Sequence, residues 1–131
     1  MSKDSPSLQS SLGKARGLGS AKDGTHHWIM QRVTSIALMP LCLYLLWQLP
    51  HIVDSDLANF SSWIDDPINA VALLLFIAVA FHHAALGVQV IIEDYVHTHF
   101  LKFGALLLNQ ITFLFLGIAG IYAVIRLSFG A

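Results

Sequence analysis

The chain has 131 residues, of which 56% are hydrophobic and only 11% are charged. A soluble domain of this length needs many more charged side chains on its surface, so the composition indicates that lipid surrounds most of the chain. The net charge of -1 excludes a typical nucleic-acid-binding protein, which needs a basic excess to displace the counterions of phosphates.

The amino-terminal segment differs from the rest of the chain. Residues 1–22 are rich in serine, glycine and lysine, and their leucines are too sparse to form an apolar face. Such a segment cannot bury enough surface to offset the entropy of ordering, so a flexible tail outside the bilayer is predicted. It also lacks the apolar stretch of a cleaved signal peptide. We therefore expect residues 23–131 to form a membrane-anchor domain that inserts through its own first span.

Three long apolar runs follow, and each is close to the length of about 20 residues that a helix needs to cross the hydrocarbon. Pro40 is expected to kink the first helix. Asp66 suits the N-cap of the second, and Pro67 suits its first position. Lys102 and Arg126 bracket the third and can extend toward opposite interfaces. The sequence predicts an all-α fold with transmembrane helices over about 28–49, 67–92 and 103–126.

The basic residues predict how these helices are oriented. Five of the seven precede or open the first span: Lys3, Lys14, Arg16, Lys22 and Arg32. Since lysine and arginine near span ends are retained on the cytoplasmic side, the amino terminus is predicted to be inside. The loop over residues 50–66 has four aspartates and no basic residue, so it is predicted to be outside. By alternation the loop over 93–102 is inside and the carboxy terminus is outside.

Two adjacent histidines, His82 and His83, lie in the second predicted span. At this depth an ionisable group costs several kcal/mol unless it is paired or ligates something. His83, Gly87, Val90 and Asp94 form one stripe of the helix. Gly87, one turn after His83, leaves room for a flat ring such as a haem held by the imidazole. His83 is therefore preferred over His82 as a ligand, and the alternative is an interhelical hydrogen bond from His83.

Two spaced motifs resemble those of a known family. From His83 onward the chain has a glycine after four residues and Asp-Tyr after eleven and twelve. Near the first span, Gly24 and His26 are followed by an arginine six residues after that histidine. Both patterns resemble the smaller hydrophobic membrane anchor of succinate dehydrogenase (respiratory complex II), in its bacterial haem b-containing type. Because both histidines are doubled, the neighbouring His82 and His27 stay open as alternatives.

The resemblance implies a three-helix transmembrane bundle that packs with a larger cytochrome b anchor subunit around a shared haem b. His83 would be the axial ligand of the haem iron, with Gly87 beside it. His26 and Arg32 would approach the haem propionates.

The resemblance also implies a quinone site. Tyr95 would donate a hydrogen bond to ubiquinone, and Asp94 would pair with an arginine of the larger anchor and help deliver protons. Local candidates for a cation near the end of this helix are His97, His99 and Lys102, because acidic residues are unfavourable at a helix carboxyl end.

The resemblance further implies a complex in which this chain alone does not oxidise succinate. The partners would be a flavoprotein that holds FAD and an iron-sulfur subunit that passes electrons to the quinone. The location would be the bacterial inner membrane, with the carboxy terminus in the periplasm. Alternatives are an anchor of a related quinol-fumarate reductase and a haem-free structural anchor. A small channel or transporter would need a polar path across several spans or repeated broken helices, and the sequence shows neither.

Overall fold

The computed structural model describes residues 22–53 and 56–129, so the predicted tail over 1–22 lies outside it except for its last position. This part of the chain forms four helices and no strand: α1 (Lys22–Val53), α2 (Leu57–Ile64), α3 (Pro67–Tyr95) and α4 (His99–Ser128). Three of them, α1, α3 and α4, are long and apolar enough to cross a membrane. The all-α class and the three candidate spans predicted from the sequence are confirmed.

Each long helix extends beyond its predicted span. α1 contains both Pro40 and Pro50, and α4 begins three residues before Lys102. Helical hydrogen bonding continues where the apolar composition ends, so an apolar run underestimates the helix that contains it. At the start of α3 the sequence located the boundary correctly. The Asp66 carboxylate accepts a hydrogen bond of 2.8 Å from the Ile68 backbone N–H, and Pro67 is the first helical residue.

The short helix α2 was not predicted, because residues 50–66 were expected to form a loop. Asp56 is its N-cap, and its carboxylate accepts a hydrogen bond of 2.8 Å from the Asn59 backbone N–H. Phe60 stacks on Trp63 at 5.9 Å between ring centroids, and Ile64 is fully buried. The available signal was an aspartate followed by apolar residues at helical spacing. With only 8 residues, this helix was too short for that signal to distinguish it from a loop.

α3 is the central helix of an open three-helix layer. It packs against α1 on one side and α4 on the other, whereas α1 and α4 make at most marginal contact with each other. Among the described residues the buried hydrophobic side chains are only Ile64, Ala85 and Val124. Many large apolar side chains of all three long helices are exposed. The two faces of the layer therefore require lipid or another protein as their surroundings.

A polar cluster ties α1, α2 and α3 together at the end of the layer where α2 lies. The Tyr44 hydroxyl donates to Asn69 Oδ1 at 2.6 Å, and Gln48 Nε2 donates to the same oxygen at 3.1 Å. Asn69 Nδ2 in turn donates to the Trp63 backbone carbonyl at 2.8 Å. Asn69 is buried, so it joins three helices through hydrogen bonds that water does not replace.

The variant Asn69→Ala is therefore expected to lower the free energy of unfolding by about 1–3 kcal/mol, because the Tyr44 and Gln48 groups lose their shared acceptor. The measurement is the thermal unfolding midpoint of the purified protein assembly in detergent. Asn59→Ala is the matched control, since this exposed asparagine lies ten positions earlier on α2. Equal midpoints for the two variants would contradict the role given to Asn69.

Glycines bring α3 and α4 close together. A Cβ atom added at Gly120 would lie 3.1 Å from Ile77 Cγ2, and one at Gly117 would lie 3.6 Å from Phe81 Cβ. Asn109 Nδ2 crosses the same contact and donates to the Ala85 backbone carbonyl at 2.9 Å. Small residues at a membrane helix contact allow the backbones to approach in this way.

Gly120→Leu is accordingly expected to separate α3 from α4, at a cost of about 1–3 kcal/mol from overpacking. Gly104→Leu is the control, because a Cβ atom there meets nothing within 4 Å. Thermal unfolding in detergent measures both. A Gly120→Leu midpoint equal to that of Gly104→Leu would show that the contact is looser than the structure indicates.

Candidate functional site

His83 lies in the contact between α3 and α1. Its Nδ1 is 2.8 Å from Thr34 Oγ1, and its Nε2 is 3.5 Å from Gln31 Nε2. The Thr34 hydroxyl lies 2.8 Å from the Met30 carbonyl oxygen and 3.1 Å from the Gln31 carbonyl oxygen, and when it donates to either of them its own oxygen is free to accept from His83 Nδ1. In that arrangement Nε2 is the nitrogen of His83 that is available as a ligand. A metal-ligating histidine needs this division, with one nitrogen held by a hydrogen bond and the other left as the ligand.

The lone pair of His83 Nε2 is only weakly satisfied. A separation of 3.5 Å to Gln31 Nε2 is at the outer limit of a hydrogen bond. Gln31 Oε1 is buried and has no hydrogen-bond partner among the described residues. A Cβ atom at Gly87 would lie 3.8 Å from Gln31 Nε2, so this amide fills the space that the sequence pattern predicted for a flat ring. His83 and Gly87 would therefore suit a haem only if the Gln31 amide turned away from His83.

A groove of about 330 Å³ runs beside this contact on an open face of the layer. The groove includes His27 and His82, the two histidines that the sequence left as alternatives. Its full lining is His26, His27, Met30, His82, Leu86 and Gln89. His27 Nε2 is buried without a hydrogen-bond partner in the described part of the chain, and His82 is exposed. The structure therefore brings His26 together with His82, while His83 points into the neighbouring helix contact. Within residues 22–53 and 56–129, no three histidine, cysteine, aspartate or glutamate side chains lie close enough together to hold a metal ion.

Arg32 lies on a different side of α1 from His26. Its guanidinium carbon is 4.8 Å from the centre of the Trp28 ring, which is a cation–π contact. Six positions correspond to about 240° around a helix, so the two side chains leave α1 in different directions. Both belong to the end of the layer at which α3 finishes, but the structure does not bring Arg32 to His83.

Tyr95 and Asp94 are exposed at the carboxyl end of α3. The Tyr95 side chain is 79% exposed and lies twelve residues after His83, which corresponds to about 18 Å along the axis. Among the residues the structure describes, neither side chain has a hydrogen-bond or ion-pair partner. Both are therefore available to a group from outside this chain.

Two of the local candidates, Lys102 and His97, approach this end of α3, and His97 Nδ1 lies 3.1 Å from the Tyr95 backbone carbonyl oxygen. The Lys102 Nζ donates to the Glu93 backbone carbonyl at 2.8 Å. The Glu93 carboxylate in turn accepts a hydrogen bond of 2.8 Å from Gln89 Nε2. The lysine thus interacts with the helix terminus, where carbonyl groups carry partial negative charge. It does not pair with Asp94.

Thr34 and Gln31 are functional candidates that were not predicted from the sequence. His27, Gln31 and Thr34 have a spacing of four and three residues, which places them on one face of α1. Polar residues aligned in this way in an apolar helix predict hydrogen bonds to a neighbouring helix. This stripe was the signal that could have identified them as partners of His83.

Comparisons with known proteins agree with this fold. The family of succinate dehydrogenase/fumarate reductase transmembrane subunits matches residues 6–125. The succinate dehydrogenase hydrophobic membrane anchor subunit of Rickettsia conorii is 37% identical over 99 residues, which are 75% of this chain and 79% of that protein. The subunit of the same name in Rickettsia bellii is 42% identical over 90 residues, 68% of this chain and 71% of that protein.

A more distant relative covers more of the chain. The succinate dehydrogenase hydrophobic membrane anchor subunit of Paracoccus denitrificans is 30% identical over 118 residues, 89% of this chain and 90% of that protein. No solved structure gives a significant match. Since the family match covers most of the chain and the structure supplies three candidate spans, this chain belongs to the family of succinate dehydrogenase hydrophobic membrane anchor subunits.

Proposed function

We propose that this chain, together with a larger cytochrome b anchor subunit, binds haem b and ubiquinone in a membrane-bound succinate:quinone oxidoreductase. A flavoprotein with FAD oxidises succinate, and an iron-sulfur subunit passes the electrons to the quinone at the membrane surface. The relatives named above are succinate dehydrogenase subunits, which favours this direction over fumarate reduction. The excess of basic residues before the first span favours a cytoplasmic amino terminus and a periplasmic carboxy terminus in the bacterial inner membrane.

The hydrogen bond between His83 and Thr34 carries the haem part of this proposal. It holds the ring through Nδ1, so Nε2 is the nitrogen of His83 that would ligate iron. Gly87 keeps the adjoining turn of α3 without a side chain. His26 and Arg32 lie at the same end of the layer but leave α1 in different directions, and each would offer a hydrogen-bond donor to a propionate. When bound, haem b would supply one-electron transfer. His83 would supply one ligand to the haem iron, and the larger anchor would supply a second.

Tyr95 carries the quinone part of the proposal. Its exposed hydroxyl can donate a hydrogen bond to a quinone carbonyl and so stabilise the negative charge that reduction places on that oxygen. Asp94 precedes it at the same helix end and is open to an arginine of the partner anchor. In this position its carboxylate can relay a proton toward the quinone.

A haem-free structural anchor is the second candidate function. The observation that favours it is that both ring nitrogens of His83 already face groups of α1, at 2.8 Å and 3.5 Å. In this reading His83 joins two helices by hydrogen bonding, and the subunit only holds its partners at the membrane.

An optical spectrum of the purified complex separates the two candidates. The chain is purified by an affinity tag from its native membrane, and the copurifying subunits are identified by mass spectrometry. We expect a flavoprotein, an iron-sulfur protein and a second membrane subunit, with a reduced b-type absorption band. The same set of subunits without that band would support the haem-free anchor, and purification without the two soluble subunits would refute the proposed complex.

A further inference from the structure

We infer that the Gln31 side chain is a gate for haem binding. Its amide lies beside His83 in the place that a haem needs, and it clears that place by turning along α1 to pair with His27. The inference rests on the haem part of the proposed function and adds to it the step that precedes ligation. It concerns how fast haem enters the site.

The Gln31 amide lies against the turn of α3 that contains His83 and Gly87. Its Nε2 is 3.5 Å from His83 Nε2, and it would be 3.8 Å from a Cβ atom at Gly87. A metal–imidazole bond is about 2 Å long, and a porphyrin extends sideways from the bound metal. The space next to His83 Nε2 therefore holds either the amide or a haem, but not both.

Gln31, rather than His83, is the side chain of this contact that can move. The His83 ring is held at Nδ1, 2.8 Å from the hydroxyl oxygen of Thr34, which is itself buried. The Gln31 amide has only the contact of 3.5 Å, which is at the outer limit of a hydrogen bond. Its Oε1 is buried without a hydrogen-bond partner among the described residues, a costly position for a carbonyl oxygen. Turning the amide away from His83 therefore gives up little.

A second buried polar atom without a partner lies one helical turn away. His27 Nε2 makes no hydrogen bond within residues 22–53 and 56–129. His27 is four positions before Gln31, so the two side chains are neighbours on one face of α1. Long side chains on a helix lean toward its amino end, which is the direction of His27. When the amide turns that way, Gln31 Oε1 can accept the proton of His27 Nε2, and both atoms gain a partner.

The two positions of the amide have opposite effects on the site. Beside His83 it covers the ligating nitrogen, and beside His27 it leaves that nitrogen open. Haem binds only the fraction of molecules in which the amide has turned, so uptake slows in proportion to that fraction. The balance between the two positions therefore sets the rate of haem uptake.

The rate of haem uptake by the complex tests the gate. The complex is purified from cells in which haem synthesis is blocked, haemin and excess dithionite are added, and the b-type band is followed by stopped-flow absorbance. Gln31→Ala removes the amide that covers His83 Nε2. We expect this variant to take up haem about two- to tenfold faster than wild type, the range for loss of one weak hydrogen bond. Gln110→Ala, which removes an exposed amide on α4, is the matched control and is expected to keep the wild-type rate.

Substitution of His27 is expected to change the rate in the opposite direction. His27→Ala removes the group that pairs with the turned amide, so the amide stays beside His83 and haem uptake becomes slower than in wild type. In the double variant Gln31→Ala/His27→Ala no amide remains to cover the site. Uptake by the double variant is therefore expected at the fast rate of Gln31→Ala alone.

The same measurements separate failure of the gate from failure of the haem proposal. Equal uptake rates for wild type and Gln31→Ala, with the other subunits still copurifying, would refute the gate and leave haem binding intact. A double variant as slow as His27→Ala would show that His27 serves the haem directly, which would overturn its pairing with Gln31. No uptake by wild type or by any variant would refute haem binding itself, and the gate with it.

Discussion

Replacing His83 by alanine is expected to abolish the reduced b-type absorption band of the purified complex, whereas His82→Ala is expected to retain it. The reason is that His83 has one nitrogen held by Thr34 and the other left as a ligand. An alanine at position 83 offers iron no lone pair. The measurement is a difference spectrum between the reduced and oxidised complex, normalised to the amount of subunit.

Thr34→Val provides an internal check on this geometry. It keeps the shape of the side chain but removes the oxygen that accepts from His83 Nδ1. Loss of such a supporting hydrogen bond lowers the affinity of a metal site about 10- to 100-fold, so haem should be lost from this variant at lower detergent concentration than from wild type. If His82→Ala removes the band and His83→Ala keeps it, the histidine of the open groove is the ligand. If both variants keep the band, the iron is held by other residues.

Tyr95→Phe is expected to reduce succinate-dependent quinone reduction at least about tenfold, because the phenyl ring cannot donate a hydrogen bond to the quinone carbonyl as negative charge develops on it. Electron transfer from succinate to a soluble dye, which bypasses the membrane site, should stay unchanged. The two assays on one preparation therefore separate a defect at the quinone from a defect in assembly.

Tyr122→Phe is the control for this variant. Tyr122 is also largely exposed, at 62%, but it lies toward the opposite end of the layer near the end of α4. Quinone reduction at the wild-type rate is expected for Tyr122→Phe. A normal rate with Tyr95→Phe would show that Tyr95 only anchors the helix at the membrane interface, as aromatic residues often do.

The long helices were predicted well because the interactions that determine them lie within each apolar run. An apolar run of sufficient length in lipid must satisfy its backbone within itself, so α1, α3 and α4 follow from composition alone. Asp66 and Pro67 marked the start of α3 for an equally local reason. Helix α2 was missed because one short amphipathic stretch between spans resembles a polar loop. The burial of Ile64 and the hydrogen bond from Asn69 to the Trp63 carbonyl show that it packs against the rest of the layer.

The site was predicted only in part, because helical periodicity gives the stripe but not its neighbour. His83 and Gly87 do share a face, as their spacing of four residues requires, and both approach Gln31. Which helix that face meets depends on how α3 rotates against α1, and no single stretch of sequence contains this information. The adjacent His82 faces an open groove instead. The sequence preferred His83 because it shares a stripe with Gly87, and it left His82 open as an alternative.

The open layered arrangement of α1, α3 and α4 affects how quickly the unassembled protein is degraded in the cell. Residues 22–53 and 56–129 contain so few buried side chains that their tertiary contacts add little stability, and we expect an orphan copy to be accessible to membrane proteases. We expect its half-life to be set by assembly, with the amount of this subunit following that of its partners even when its gene is overexpressed.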